Sequence, residues 1–596
     1  MISSKFNVKH KFENAGTEYE RKEQEMEFIQ KKTADGTVER FLAKAAEREV
    51  SLVWDRYEGQ LPECGFCETG LSCRDCLQGP CISHPFRDSN KLGVCGKDKD
   101  ILAIQSLLRL VLKGTMVYLN QLSDLIEGVQ SGEVKPNNKG KTDQILKEVQ
   151  SLLMDGGVQI RKELPKSLIR SWKETGIFPE GVARDLFKAS QKLEGGVTDV
   201  EETLLWAFKS SLLGWMASWL QGNLKRSVFG EYPHTKIEVN LGVLRKESPN
   251  LLLYGYFSPI LKRKIAEEAK KKNVHVTGVC TDPLIPPFSF PQVTSYGSQE
   301  IPLMTGAVDL IIAGDQFVNP SIATIAREWE VPIISAEVLK KEQDIGRFAR
   351  QIVESAKKSF DFRRNIPRDI PETKEYAVMG FSPEDADAKK VVTALSQGKL
   401  KGIAILSGSN NVKYTQDQEL LTMAQEFLKN DILCISKGGA SVTLAKYGLL
   451  NPVWREKNCS KPLADLLSSL GKEVPSILDF GDEGIVDFLL NVAKSGKKEL
   501  KDYSIVACFP EANRTSEVTE AMWTVAMGIQ TYFWPSLPVT GSVKAMEALT
   551  KFCEEKFGSK LNVITEKKID ARTKASMILK ALRGEEGFDM SGKPWK

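Results

Sequence analysis

The chain has 596 residues, of which 41% are hydrophobic and 27% charged, and its formal net charge is +4. That length leaves room for about three or four domains of roughly 150 residues, and the composition is that of a globular protein rather than a disordered or fibrous one. Charges that nearly cancel give no electrostatic ground for a nucleic acid or an anionic membrane as partner.

Residues 1–32 are polar throughout and contain no apolar core of a secretory signal, so a cytoplasmic protein is expected, with residues 1–40 as a charged, solvated helical flank. The next segment is the most informative. Six of the eleven cysteines fall between Cys64 and Cys95, five of them inside CGFCETGLSCRDCLQGPC. A disulfide framework is not expected in a large cytoplasmic chain. Structural zinc would use the pairs Cys64/Cys67 and Cys73/Cys76 and leave Cys81 and Cys95 without a role. An iron-sulfur reading employs Cys73, Cys76, Cys81 and Cys95 as C-x2-C-x4-C-x13-C, a run compact enough to wrap one [4Fe-4S] cubane with four thiolates. Gly79-Pro80 turns the chain between the second and third thiols, while Gly93 and Gly96 let the backbone come close around the fourth.

From residue 100 to 225 the apolar period is helical, with no strand-like alternation. The most apolar stretch, LLWAFKSSLLGWMASWLQGN at 204–223, is interrupted by Lys209 and followed by Lys225. It falls short of the ~20 residues that span a bilayer and reads as a buried helix, so no membrane span is expected. Short apolar runs then alternate with charged helical stretches: NLLLYGYF (250–257), VHVTGVC (274–280), VDLIIAG (308–314) and VPIISA (331–336). RRNIPRDIPETKEYA (363–377) reads as a linker. The pattern resumes with GIAILSG (402–408), DILCIS (431–436), PSILDF (475–480) and YSIVACF (503–509). The predicted fold class is α+α/β: a helical iron-sulfur domain over 1–237, then two Rossmann-like α/β domains over 238–375 and 376–596. No GxGxxG or Walker loop opens a helix, so no bound nucleotide is expected.

The segment VSLVWDRYEGQLPECGFCETGLSCRDCLQGPCISHPF, followed by LGVCGKDKDILA, resembles the N-terminal cluster region of the anaerobic nickel-iron carbon monoxide dehydrogenases. Further similarity lies in NLGVLRKESPN, GSNNVKYTQDQELLTMAQEFLKNDIL, LAKYGLL and PVTGS, and covers most of residues 40–550. The GVCGK ending is shared with hybrid-cluster proteins. The resemblance implies a homodimer in which Cys73, Cys76, Cys81 and Cys95 bind a [4Fe-4S] relay cluster and a further cluster bridges the subunits. The family takes one bridging thiolate from a position that is Ser72 here, which leaves Cys64 and Cys67 as candidates for an intersubunit [2Fe-2S] or [4Fe-4S] cluster.

The family also holds a nickel-iron-sulfur cluster with one His and five Cys, soft ligands that suit nickel and low-valent iron. Matched to this chain, those positions are Tyr254 or Tyr256, Cys280-Thr281, Phe317, Gly439, Asp482 or Glu483, and Ile529. The family's proton-handling groups match Tyr118, Gln121 and Trp523. At most one ligand survives, so the nickel-iron cluster is predicted absent, and Phe317, Ile529, Trp523 and Tyr118 are expected to plug its cavity. A rebuilt site of hybrid-cluster type would have to draw on Cys280, Cys434 and Cys508, at or near strand ends, with Asp482 and Glu483; buried small hydrophobes are the plainer reading of those cysteines. Three functions follow: an electron-relay protein serving a redox partner without CO oxidation, an enzyme with a changed centre reducing a small molecule such as hydroxylamine, or an active carbon monoxide dehydrogenase.

Overall fold

A computed structural model describes residues 31–84, 91–155, 164–196, 198–231, 234–337, 344–481, 484–565 and 569–585. Most of the N-terminal flank, together with Asp482 and Glu483, lies outside the described residues.

Two long helices form the spine of the N-terminal unit. Lys99–Gln130 begins at Asp98, whose carboxylate accepts from the Ile101 N–H at 2.9 Å, and Val200–Phe229 begins at Asp199, which accepts from the Glu202 N–H at 2.7 Å. Their facing apolar stripes, Ile104, Leu107, Leu108 and Val111 on one and Leu212, Leu213, Met216 and Ala217 on the other, are buried. The 204–223 stretch thus lies within a buried helix, as its interrupted pattern predicts. Lys99–Gln130 is long and apolar enough to cross a bilayer by length and composition, but most of its apolar window is buried inside the fold. The helix Thr515–Ala526 packs so close to it that a Cβ on Gly114 would lie 2.2 Å from both the Thr515 carbonyl oxygen and Thr519 Oγ1. Only glycine fits there.

Two sheets follow. The first has seven strands in the order Ile333–Ser335, Leu310–Ala313, Asn250–Tyr254, His275–Val279, Gln292–Thr294, Thr235–Val239 and Glu375–Met379, all parallel except the last, which runs antiparallel to its neighbour. The second has six parallel strands: Ile477–Asp479, Ile432–Ser436, Gly402–Leu406, Ile505–Phe509, Gln530–Phe533 and Leu561–Val563. Central strands such as Gly402–Leu406 are buried along their whole length, as a parallel sheet covered on both faces requires. The α+α/β class is as predicted.

The 363–377 segment differs from its reading as a linker. Its last residues open the strand Glu375–Met379, which pairs with Thr235–Val239. Pro367 and Pro371 break the chain just upstream, so the strand is confined to the residues after them.

The Trp54-Asp55-Arg56 triplet is a docking device. Trp54 is buried, Asp55 accepts from the Leu52 N–H at 2.9 Å, and Arg56 pairs with the buried Glu300 of the first α/β unit. Glu300 also accepts from the Val53 N–H at 2.8 Å.

Candidate functional site

The cysteine segment folds as a tight loop against the long helix. Ser72–Cys73 pairs antiparallel with Cys81–Ile82, which sets Cys73 directly opposite Cys81. The Val94 N–H donates to the Cys81 thiol at 3.5 Å, bringing the chain around Cys95 to the same place. Gly79 sits between the others: a Cβ there would lie 3.3 Å from Cys81 N, 3.4 Å from Cys73 O and 3.5 Å from Cys76 O. Asp75 lies within the loop and receives Arg109. Burial alone would raise its carboxyl, but the hydrogen bonds and charge of Arg109, with smaller help from Cys73 and Lys97, hold it below the usual range.

Four thiols in one glycine-turned loop, with a backbone N–H already directed at sulfur, fit a thiolate-ligated iron-sulfur cluster. Among the described residues, however, no three His, Cys, Asp or Glu side chains gather as a ready-made metal sphere, in this loop or elsewhere. The fit rests on the donor set and the strand register.

Cys64 and Cys67 are exposed. Cys64 precedes the short helix Gly65–Glu68, and the Cys67 and Phe66 amides directed at its sulfur pull the thiol below its usual range. Ser72 donates its hydroxyl to the Cys67 sulfur at 3.5 Å. Leu61, Leu77, Leu92 and Val94 nearby in sequence are also exposed.

The second location is a cavity of about 150 Å³ between the helical unit and the two sheets. Its walls come from the loops that leave the carboxyl ends of strands in both sheets: Cys280, Thr281 and Asp282, Phe317, Ser407 to Ser409, Lys437 to Gly439, Asp479 to Gly481, and Arg514. The long helices add Tyr118, Gln121, Gln221 and Lys225. The carboxyl edges of both sheets thus share one chamber.

The positions expected from the resemblance converge here. Tyr256, Cys280, Thr281, Phe317 and Gly439 all line the cavity, and Gly481 lines it beside the undescribed Asp482 and Glu483. Tyr254 does not; it lies in the core with its hydroxyl donating to Gln299 O at 3.0 Å. Tyr256 donates to the backbone oxygen of Gln121 at 2.9 Å. Ile529 and Trp523 line a smaller adjoining cavity that shares Ser407, Lys437 and Glu520 with the first.

Two expectations need correction. Phe317 and Tyr118 form wall rather than plug, and the chamber stays open. Cys434 lies in mid-strand and Cys508 one residue from a strand end; both are fully buried, their thiols pushed up by burial, and neither lines the cavity. They are core residues, because their strands are covered on both faces. Of the described members of the proposed rebuilt set, only Cys280 lines the chamber. Its thiol is pushed up to about 11 by burial, against the opposing charge of Arg514.

The chamber holds charged residues that the sequence did not single out. Lys437 pairs with Glu520 at 2.6 Å, and Tyr118 and Ser407 both donate to the same carboxylate, the latter at 3.1 Å. Lys225 and Lys262 each stand 3.5 Å from Asp282. Burial lowers Lys262 to about 8 although Asp282 opposes it. Glu517 accepts from Ser409 Oγ at 2.5 Å and from the Asn513 N–H at 2.8 Å, and burial raises it. For Lys437 and Asp282 the signal available in sequence was position, just after the predicted strands 431–436 and 274–280; Lys225, Lys262, Glu517 and Glu520 lie on helices and carried no such signal. As a donor set, one thiol and no imidazole among the described lining residues do not fit a nickel-iron-sulfur cluster.

Comparison with known proteins agrees with this geometry. The sequence is 26% identical to carbon monoxide dehydrogenase 2 of Carboxydothermus hydrogenoformans, covering 95% of this chain and 99% of that one. It is 27% identical to carbon monoxide dehydrogenase 1 of Methanosarcina mazei, over 93% and 97%. The fold superposes on the solved carbon monoxide dehydrogenase IV from Carboxydothermus hydrogenoformans with a TM-score of 0.86 at 27% identity, over 93% of this chain and 99% of that one. The family profile for Prismane/CO dehydrogenase matches residues 71–154 and 130–568, and with the cysteine loop and the shared chamber in place, the chain belongs to the Prismane/CO dehydrogenase family.

Proposed function

We propose that the protein is an iron-sulfur electron-transfer protein on a carbon monoxide dehydrogenase scaffold, which passes electrons to a redox partner without oxidising CO. One observation supports the reading: among the described residues, the chamber on which the expected family positions converge is lined by a single cysteine and no histidine, whereas the N-terminal loop keeps all four thiols, with Cys73 opposite Cys81. CO oxidation by water must release two protons as well as two electrons. Tyr118, Gln121 and Trp523, at the proton-handling positions, are poor proton acceptors at neutral pH.

In this reading Cys73, Cys76, Cys81 and Cys95 hold a [4Fe-4S] cluster, which when bound supplies one-electron storage with its irons closed to substrate by thiolate. Asp75, Arg109 and Lys97 fix the loop around it. Cys64 and Cys67 of each subunit hold a shared [2Fe-2S] or [4Fe-4S] cluster across a two-fold axis, a role supported by their exposure and the low Cys64 thiol. A hybrid-type centre reducing hydroxylamine has less support, since Cys434 and Cys508 are core residues.

The test is metal and sulfide analysis of anaerobically purified protein together with a viologen-linked CO oxidation assay. The expected result is about five or six irons per chain, no nickel and no CO-dependent reduction. Stoichiometric nickel with CO oxidation would restore the active-dehydrogenase reading. Clearly more iron without nickel would point to a changed centre instead.

A further inference from the structure

We propose that the chamber is a binding site for a small monocarboxylate, with the Arg514 guanidinium as its clamp and Lys262 as a second cationic contact. The inference rests on the reading that no metal cluster fills the chamber.

Arg514 is held by its faces. Its guanidinium carbon lies 4.1 Å from the centre of the Phe317 ring and 4.6 Å from that of Tyr296. Stacked in this way it cannot rotate freely, and what it presents is its edge. Nε and one terminal nitrogen of that edge are shielded from solvent and have no hydrogen-bond partner within the protein. An edge with two free N–H groups in fixed geometry matches the two oxygens of a carboxylate, and holding it in place beforehand removes part of the ordering cost of binding.

Lys262 adds a second cation beside Arg514. It is fully buried, lines the same chamber, and its ammonium forms a long ion pair of 3.5 Å with Asp282, which leaves N–H groups able to reach a ligand. The Thr281 hydroxyl, between Cys280 and Asp282 on the wall, is buried and unpartnered. Buried donors left unsatisfied are costly; Lys262 has the Asp282 carboxylate as ion-pair partner, so it is the Arg514 edge and the Thr281 hydroxyl that indicate an acceptor the protein does not itself provide.

Charge decides which acceptor. Among the described lining residues Lys225, Arg226, Lys262, Lys437 and Arg514 are matched by Glu231, Asp282, Asp479, Glu517 and Glu520, so these residues offer no cationic surplus with which to neutralise a dianion. A single negative charge disturbs that balance less than two would. Phosphate and sulfate are therefore disfavoured. Leu284, Phe381 and Val442 supply apolar wall for a short hydrocarbon tail, and the chamber reaches the surface beside the exposed Glu231.

The experiment is calorimetric titration of anaerobically purified protein with sodium butyrate, butanol and inorganic phosphate, with nickel measured in the same preparation. Saturable butyrate binding is expected, at least about tenfold tighter than butanol, with no saturable phosphate signal. Arg514→Gln should weaken butyrate at least about tenfold, and Lys262→Met should weaken it by a smaller factor. Circular dichroism checks that each variant is folded; if Arg514→Gln is not, the Lys262→Met titration and the butyrate-to-butanol ratio decide. Absence of saturable butyrate binding, equal binding of butanol, or binding unchanged by both substitutions overturns the carboxylate site. Nickel-free protein that ignores butyrate overturns this inference alone, whereas stoichiometric nickel overturns the proposed function with it.

Discussion

Asp75 accepts two hydrogen bonds of 2.7 Å from Arg109, one from Nε and one from a terminal nitrogen, and this fork fastens the cysteine loop to the long helix. Lys97 adds a looser contact to the same carboxylate at 3.5 Å. Arg109→Ala should therefore cost about 2 kcal/mol and make iron easier to remove. Chelator-driven iron release, followed by absorbance, checks this; a rate equal to wild type would mean that other contacts hold the loop.

Cys76→Ser should remove about four irons per chain and the absorbance near ~400 nm that accompanies thiolate-bound iron. Iron and sulfide assays on the variant read the result directly. Full iron content would sink the relay-cluster assignment.

Replacing Cys64 and Cys67 together with serine should leave that absorbance largely in place and remove about two to four irons per dimer. Analytical ultracentrifugation alongside the iron assay separates loss of a cluster from loss of assembly. Retention of all iron would make the two thiols structural.

Gly70 adopts a positive φ of 83°, and a Cβ there would lie 1.8 Å from the carbonyl oxygen of Pro538. The loop approaches the C-terminal unit so closely that Gly70→Ala should lower stability by about 2–4 kcal/mol. Urea unfolding would measure it, and a change below about 1 kcal/mol would show that the contact yields easily.

Glu511 is fully buried beside Asp417 and Glu419, and burial with their charge raises its carboxyl from 4.5 to about 8 against the hydrogen bond from Asn410. Between those two values the native state keeps a proton that the unfolded chain has lost. Its contribution to stability is whole below about pH 4.5 and is lost as the pH rises through about 8. Urea midpoints at pH 6 and 9 should fall more for wild type than for Glu511→Gln, and equal falls would refute the shift.

The parts of the molecule that announced themselves in sequence did so through pattern. Asn250–Tyr254 and Gly402–Leu406 are unbroken apolar runs because both faces of their sheets are covered, and such runs are readable. Thr235–Val239 was missed because Thr235, Lys236 and Glu238 break its apolar run, and Gln292–Thr294 because it is three residues long with polar ends. Lys262 was hidden for a different reason. In ILKRKIAEEAKKKN it looks like one lysine of a solvated helical face, and only the packing of that helix against the chamber buries it. Arg514 shares the problem, since stacking between Phe317 and Tyr296 joins residues far apart in the chain. Position after a strand is legible in sequence; which strand ends meet across a cavity is not.

The strand Glu375–Met379 determines how the molecule can move. On one side it forms a ladder of five residue pairs with Thr235–Val239. On the other, the Val378 N–H donates to Leu450 O at 2.8 Å, and just beyond the strand the Gly380 N–H donates to Asp479 Oδ2 at 3.2 Å. One strand is thus stitched into both α/β units, so they cannot swing apart on a hinge without breaking either the ladder on one side or these hydrogen bonds on the other. Heat should therefore melt the two units in one cooperative step rather than in turn.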